Sequence, residues 1–174
     1  MKIIKTEFLI KFLLCLSVSS SMVASESLKE AFSEHFLMGT IWHGHDVNGK
    51  KNTFLEKEKE ITLREFNSIT AENVMKPHYI QPKKGIFKFK AADEMVNFAT
   101  KNNLTIVGHT LVWKNSAPDW FFQDRNGNQV SREVLIKRLK MHIKTVVSRY
   151  KGKIAYWDVV NEAIETKWNP RTQS

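Results

Sequence analysis

An acid and an amide stand together at the end of an apolar run. The stretch YWDVVNEAI covers residues 156–164 and places Glu162 directly after Asn161. An acid beside a buried strand is costly unless it is paired, hydrogen-bonded or protonated. Because burial favours the protonated form of a carboxyl group, Glu162 is a candidate general acid, with capping of a following helix as the alternative. Asn161 orients that acid, binds a substrate hydroxyl or is an ordinary turn residue.

A second polar group follows another apolar run. The stretch ITAENVMKP, residues 69–77, places Glu72, Asn73 and Lys76 within five residues. Three hydrogen-bonding side chains at the end of a strand suggest a polyhydroxylated ligand. A charge pair on the surface is an equally good interpretation of this stretch alone.

Histidines and tryptophans supply further candidates. His109 lies inside the apolar run LTIVGHTLVW (104–113), where it is either a site residue or a hydrogen-bonded core histidine. Trp113 and Trp120 could stack on sugar faces or belong to the core. His43 and His45 are two residues apart, but without a matching set of carboxylates this spacing does not predict a metal site.

The elements that position these residues follow from hydrophobic periodicity. Apolar runs predict strands over residues 36–42, 67–75, 104–113 and 154–161, and amphipathic stretches predict helices over 53–66, 91–101 and 131–152. The first helix opens with a capping box of Thr53 and Glu56, and Ser131 caps the last. This alternation predicts βαβ units and a parallel sheet, whose ligands gather at the carboxyl ends of strands. Neighbouring strand residues face opposite ways, so the strand must end or bulge for Asn161 and Glu162 to share a pocket.

Composition sets the class of protein. Residues 1–25 have a basic start, a short apolar run and small residues at the end, which predicts a signal peptide and export to the periplasm or the extracellular space. The apolar run is too short to span a bilayer, so no stable membrane association is expected. Cys15, the one cysteine of the chain, lies in this segment. The net charge is +9, but the basic residues are scattered along helical stretches, so we expect no nucleic-acid partner.

Three motifs in order, ITAENVMKP, VGHTLVW and WDVVNEA, resemble glycoside hydrolase family 10, the retaining endo-1,4-β-xylanases. The likeness extends from about Leu28 to the C-terminus. It implies a TIM (β/α)8 barrel, of which residues 26–174 supply about the first four βα units. It also implies that Glu162 is the general acid/base, that the substrate is xylan, and that neither cofactor nor metal takes part. Substrate-binding roles are implied for Glu72, Asn73, Lys76, His109, Trp113 and Asn161.

The resemblance also implies a second catalytic carboxylate. Retaining hydrolysis needs two carboxyl groups about 5–5.5 Å apart, and in the family the nucleophile is a Glu near the end of the seventh strand. No residue of this sequence matches that Glu, and the nearby acids Asp158 and Glu165 are poor substitutes. We therefore expect an incomplete chain that lacks the C-terminal half of the barrel, and residues 26–174 alone should be inactive and poorly soluble.

Two departures from the family pattern follow Trp113. Lys114 stands where the family commonly has His, and Ser116 where Gln is common. A cation beside the general acid would favour its ionised form. Either Lys114 points away or the site is altered.

Two other functions fit the same residues. The chain could be a non-catalytic or vestigial xylan-binding half barrel, because the sugar-binding residues are present and the nucleophile is not. It could also be a related barrel glycosidase acting on β-glucan, which a comparison of xylan with cellulose as substrates would reveal.

Overall fold

The computed structural model describes residues 26–43 and 56–164 of the protein. The predicted signal peptide, His45 and the Thr53 end of the predicted capping box lie outside the described residues.

Four parallel strands form one sheet, and their spatial order is their order in the sequence. The strands are β1 (Gly39–Trp42), β2 (Ser68–Ala71), β3 (Thr105–Val112) and β4 (Tyr156–Val160). The predicted parallel sheet is thereby confirmed, and the four carboxyl ends meet at one edge.

Five helices accompany the strands in the described part of the chain. They are α1 (Leu28–Ala31), α2 (Glu56–Glu65), α3 (Pro77–Ile80), α4 (Lys90–Lys101) and α5 (Arg132–Arg149), with 3₁₀ turns at Lys114–Ser116 and Asp119–Phe121. The second predicted strand was too long: β2 ends at Ala71, and residues 72–76 form a turn before Pro77, whose fixed φ suits the first position of α3. Within the described ranges, no helix combines the length and apolarity needed to cross a membrane.

The core lies between the sheet and two of its helices. Ile69 of β2 and Ile106 of β3 are fully buried, and they pack in one cluster with Met95 and Val96 of α4 and Val146 of α5. Burial of such a side chain contributes about 1.5–3 kcal/mol to the free energy of unfolding. This shared core fixes α4 and α5 against the sheet and so holds the strand ends in place.

Polar contacts tie α5 to the loop that follows β3. Ser131 caps the helix by accepting a hydrogen bond from the Val134 N–H at 3.4 Å. The Arg138 guanidinium donates to the carbonyls of Trp120, Phe121 and Gln123. One turn further on, buried His142 is 2.7 Å from Gln81 Oε1. The Arg138 side chain on α5 therefore holds the loop that carries Trp120 through the backbone carbonyls of that loop.

A second polar contact joins the far end of α5 to α4. Arg149 makes two hydrogen bonds to the carboxylate of Asp93, and the Tyr150 hydroxyl donates to the same carboxylate at 3.0 Å. The Arg149 and Tyr150 hydrogen bonds lower the pKa of Asp93, against its partial desolvation. The contacts of Arg149 and Tyr150 with Asp93 fix the end of α5 that leads into β4.

The contact between β3 and β4 requires a glycine. A Cβ atom on Gly108 would lie 2.3 Å from Cε3 of Trp157, its register partner on β4. The half-buried Trp157 packs against the core. Gly108 therefore allows the indole to lie directly on the β3 backbone.

Candidate functional site

The polar residues after β2 form the first part of the site. Glu72, Asn73 and Lys76 lie in the turn between β2 and α3, all half-buried. The Glu72 N–H donates to the Trp42 carbonyl at 3.2 Å, which anchors the turn to β1. The Lys76 ammonium donates to Asn73 Oδ1 at 2.8 Å. The three side chains predicted to bind a ligand therefore lie together at a strand end.

His43 joins this group from the end of β1. Its Nε2 atom is 3.9 Å from Glu72 Oε2, and both side chains are about 40% exposed. Across residues 26–43 and 56–164, no three His, Cys, Asp or Glu side chains form a group able to hold a metal ion. Among the described contacts, His43 thus approaches the turn between β2 and α3 through Glu72.

Trp113 connects the β2 turn with the end of β4. The Lys76 Nζ atom lies over its ring, 4.9 Å from the centroid. The indole Nε1–H of the same residue donates to Glu162 Oε2 at 2.8 Å. Residues from three strand ends therefore form one continuous cluster, as the rule for parallel sheets predicts.

The backbone at Glu162 departs from a regular strand. β4 ends at Val160, and the Asn161 N–H still donates to the Val112 carbonyl at 2.9 Å. Glu162 then has φ +50°, in the left-handed region that non-glycine residues rarely adopt. The β3–β4 register also shifts between His109 and Val112. The expectation that the strand ends or bulges here is confirmed, and the Glu162 carboxylate turns toward Trp113.

Asn115 is a contact of Glu162 that the sequence did not reveal. Its Nδ2 group donates to Glu162 Oε2 at 3.2 Å, so this oxygen accepts two hydrogen bonds. Asn115 belongs to the 3₁₀ turn Lys114–Ser116, whose tight winding brings it back toward β4. No pattern in the sequence predicted the turn at Lys114–Ser116, so nothing in the sequence singled out Asn115.

His109 has an acidic partner that sequence reasoning set aside. Its Nδ1 atom is 2.8 Å from Oδ2 of Asp158, its register partner on β4. The Thr110 hydroxyl donates to the Asp158 carbonyl at 2.7 Å, and the peptide bond between His109 and Thr110 is cis. Asp158 does lie inside the strand, as expected, and its carboxylate contacts the candidate site residue His109.

Two residues that differ from the family pattern lie in the same turn. Lys114 is exposed at the beginning of the 3₁₀ turn, while Ser116 is buried at its end. The hydrogen bonds to Glu162 come from the residues on either side of Lys114, namely Trp113 and Asn115.

Trp120 lies apart from the hydrogen-bonded cluster around Glu162. Its indole N–H donates to the Gln81 carbonyl at 3.1 Å, and its ring stacks on Phe121 with centroids 4.2 Å apart. These contacts favour the packing interpretation for Trp120. Trp113, by contrast, contacts both Lys76 and Glu162.

Proteins of known structure and activity share this arrangement of strands. A crystallised xylanase from Paenibacillus barcinonensis is 43% identical, with a TM-score of 0.74 over 83% of this chain and 41% of that chain. A crystallised endo-1,4-β-xylanase from Caldicellulosiruptor owensensis is 45% identical, with a TM-score of 0.73 over 82% of this chain and 41% of that chain.

Curated sequences give the same picture. Endo-1,4-beta-xylanase B of Paenibacillus barcinonensis is 44% identical over 141 residues, which are 81% of this chain and 40% of that protein. Endo-1,4-beta-xylanase A of Xylanibacter ruminicola is 41% identical over 152 residues, 87% of this chain and 40% of that protein. The chain thus spans about 40% of the length of these relatives.

The family assignment rests on both sequence and fold. Residues 27–174 match the profile of Glycosyl hydrolase family 10, which confirms the resemblance of the three motifs. The parallel strands β1 to β4 correspond to the first βα units of a (β/α)8 barrel. With a family match over most of its length and relatives above 40% identity, the chain belongs to glycosyl hydrolase family 10.

Proposed function

We propose that the full-length protein is a retaining endo-1,4-β-xylanase in which Glu162 is the general acid/base. The observation that carries the proposal is the position of Glu162. Its carboxylate leaves the end of β4 and is held by the Trp113 indole, beside the cluster of Glu72, Asn73 and Lys76. Relatives named endo-1,4-beta-xylanase support xylan as the substrate.

The proposed reaction uses Glu162 twice. In the first step, Glu162 gives its proton to the glycosidic oxygen as the bond to the anomeric carbon breaks, and the bonding electron pair goes to that oxygen. A second carboxylate, from outside the four described strands, forms an ester with the anomeric carbon. In the second step, ionised Glu162 takes a proton from water, whose oxygen attacks the same carbon and releases the second carboxylate.

The other site residues bind the sugar in this proposal. Glu72 accepts hydrogen bonds, Lys76 donates them, and Asn73 does both, which suits several hydroxyl groups on one sugar ring. His109 and Trp113 line the sugar at the cleavage point. Asn161 contacts the sugar next to the scissile bond.

The experiment is hydrolysis by the full-length protein from its natural coding frame, on xylan, carboxymethyl cellulose and mixed-linkage β-glucan. We expect xylan to be cleaved fastest. Glu162→Ala should lower kcat/KM on xylan at least ~100-fold, as removal of a general acid does. Azide should restore part of the activity on an activated aryl xyloside, because azide, unlike water, attacks the anomeric carbon of the glycosyl-enzyme without a general base.

Glu94→Ala provides the matched control, since Glu94 is an exposed acid on α4. This variant should hydrolyse xylan at the wild-type rate. Full activity of Glu162→Ala would remove Glu162 from the mechanism. Preference for β-glucan would favour the related glycosidase, and xylan binding without hydrolysis would favour the non-catalytic alternative.

We also propose that residues 1–25 are a signal peptide that directs export to the periplasm or the extracellular space. The basic start, apolar run and small residues near Ser25 support this proposal. N-terminal sequencing of the secreted protein should give a first residue close to Glu26. Retention of Met1 in a cell-associated protein would contradict it.

A further inference from the structure

One oxygen of Glu162 accepts hydrogen bonds from the residue before the turn that follows β3 and from a residue within that turn. Trp113 Nε1 donates to Oε2 at 2.8 Å, and Asn115 Nδ2 donates to the same atom at 3.2 Å. The structure describes no hydrogen bond from either group to Oε1. The two oxygens of this carboxyl group are therefore inequivalent.

This difference decides where the transferable proton resides. A protonated carboxyl group has one O–H donor, and its other oxygen remains an acceptor. An oxygen that already faces two N–H groups is a poor place for a further hydrogen, because three positive hydrogens would then converge. In a neutral Glu162 side chain, this geometry favours Oε1 over Oε2 as the oxygen that carries the proton.

We propose that Asn115 is a positioning residue that keeps Glu162 Oε2 as an acceptor and reserves Oε1 for proton transfer to the glycosidic oxygen. The inference rests on the proposed function and deepens it. Asn115 itself does not touch the reacting atoms in this proposal, since it acts through the carboxyl group.

The need for a second donor follows from the setting of Glu162. Glu162 is exposed among the residues that the structure describes, and it has a left-handed backbone conformation, so those neighbours leave its side chain room to turn. One hydrogen bond fixes a distance but still allows the carboxyl plane to turn about it. A second donor on the same oxygen, from a turn fixed to β3, restricts that rotation. Orientation of an acid within reach of its target is a large part of its catalytic contribution.

The test compares substrates whose leaving groups differ in how much they need a proton from the general acid. Full-length wild-type, Asn115→Ala and Asn115→Asp proteins are assayed on xylan and on phenyl and 2,4-dinitrophenyl β-xylobiosides. The quantity compared is kcat/KM, which reports the step that breaks the glycosidic bond. Asn115→Asp retains the shape of the side chain and replaces the donor with an acceptor. Asn97→Ala, an exposed asparagine on α4, is the matched control.

We expect Asn115→Ala to lower kcat/KM about tenfold on xylan and on the phenyl substrate, as loss of one hydrogen bond of ~1.4 kcal/mol does. The 2,4-dinitrophenyl substrate, whose leaving group needs no proton, should change less than twofold. Asn115→Asp should lose more on xylan than Asn115→Ala, and Asn97→Ala should match the wild type on all three substrates.

Other results would overturn the inference in distinguishable ways. An equal loss on all three substrates would assign Asn115 a purely structural role. No loss on any substrate, in variants with wild-type circular dichroism, would show that Trp113 alone suffices. If the wild-type protein hydrolyses neither xylan nor the aryl substrates, the proposed function fails and the inference fails with it.

Discussion

Among single residues, His109 and Asp158 show how pairing between strands brings two polar side chains into contact. The imidazole Nδ1 contacts a carboxylate on the neighbouring strand at 2.8 Å, which orients the ring and leaves Nε2 for another partner. The His109 side chain is 20% exposed and that of Asp158 is 51% exposed. The pair therefore stands at the edge of the cluster, where a ligand can reach the ring.

Asp158→Ala tests this orientation. We expect kcat/KM of the full-length protein on xylan to fall about tenfold, because the imidazole of His109 loses the carboxylate that orients it. Asp119→Ala, which removes an exposed acid after β3, should leave the rate unchanged. An unchanged rate for Asp158→Ala would show that His109 needs no orienting partner.

The sequence singled out candidate residues that the structure places together, but it did not predict their contacts. Glu162, Asn161 and Glu72 were identified because polar residues that end apolar runs are conspicuous. Asn115 and Asp158 were not, since their roles depend on a tight turn and on a strand register. Neither a turn's winding nor a register is encoded by the residue types alone.

At the scale of elements, the helix α5 carries a histidine on its buried side. His142 is fully buried and contacts the side chain of Gln81, which is distant in the sequence. The ring of Phe121 meets the imidazole edge-on at 5.4 Å, and that of Phe87 is stacked 6.3 Å away. Burial lowers the pKa of His142 to about 4, while a hydrogen bond to the Leu111 backbone acts in the opposite direction.

This burial predicts a loss of stability in acid. Unfolded His142 has a pKa of about 6.5, so between pH ~6.5 and ~4 the unfolded chain binds a proton that the folded chain excludes. The free energy of unfolding should therefore fall by up to about 3 kcal/mol as the pH drops through that range. Urea denaturation of the full-length protein at pH 7, 5 and 4 measures it.

Two variants separate His142 from the other acid-sensitive groups. His142→Gln should lose most of this dependence, because the amide does not titrate. His78→Gln, which replaces an exposed histidine on α3, should keep it. Equal slopes for the wild type and both variants would contradict the assignment.

Gly108 gives a prediction for the packing of β3 on β4. Gly108→Ala should lower the free energy of unfolding by about 2 kcal/mol, because the new methyl group overlaps the Trp157 ring. Gly39→Ala is the matched control on β1, where the nearest atom to a new Cβ is 3.9 Å away. Thermal or urea denaturation of the full-length variants checks both, and an equal effect would show that Trp157 moves aside freely.

Element boundaries show which signals were sufficient. Hydrophobic periodicity identified all four described strands and the long helices α4 and α5. The second strand was predicted to reach residue 75, but it ends at Ala71. Local apolarity at Val74 and Met75 reflects burial in the core after the strand has ended, so periodicity alone could not place the boundary.

At the scale of the whole molecule, β4 exposes apolar side chains. Tyr156, Val159 and Val160 are 60%, 56% and 55% exposed in the described structure. Among the described strands, β4 also lies at an edge of the sheet, where its backbone groups can pair with a further strand. Both features favour contact with further strands.

Residues 26–174 expressed alone should therefore associate and should not hydrolyse xylan measurably. Size-exclusion chromatography with light scattering measures the association, and Val159→Lys should reduce it, because a charge on an edge strand opposes pairing. Lys137→Ala, which changes an exposed residue of α5, serves as a control that leaves association unchanged. A soluble, active monomer of residues 26–174 would contradict the prediction.

The order of the strands also has a consequence during protein synthesis. Each strand pairs with the one made just before it, so no strand of the described sheet waits for a distant partner. As the chain leaves the ribosome, β2 can add to β1, β3 to β2 and β4 to β3. Each step closes one connecting segment, so its entropy cost is small. Translation from the N-terminus therefore assembles the acid-bearing strand last among these four, onto an edge that is already formed.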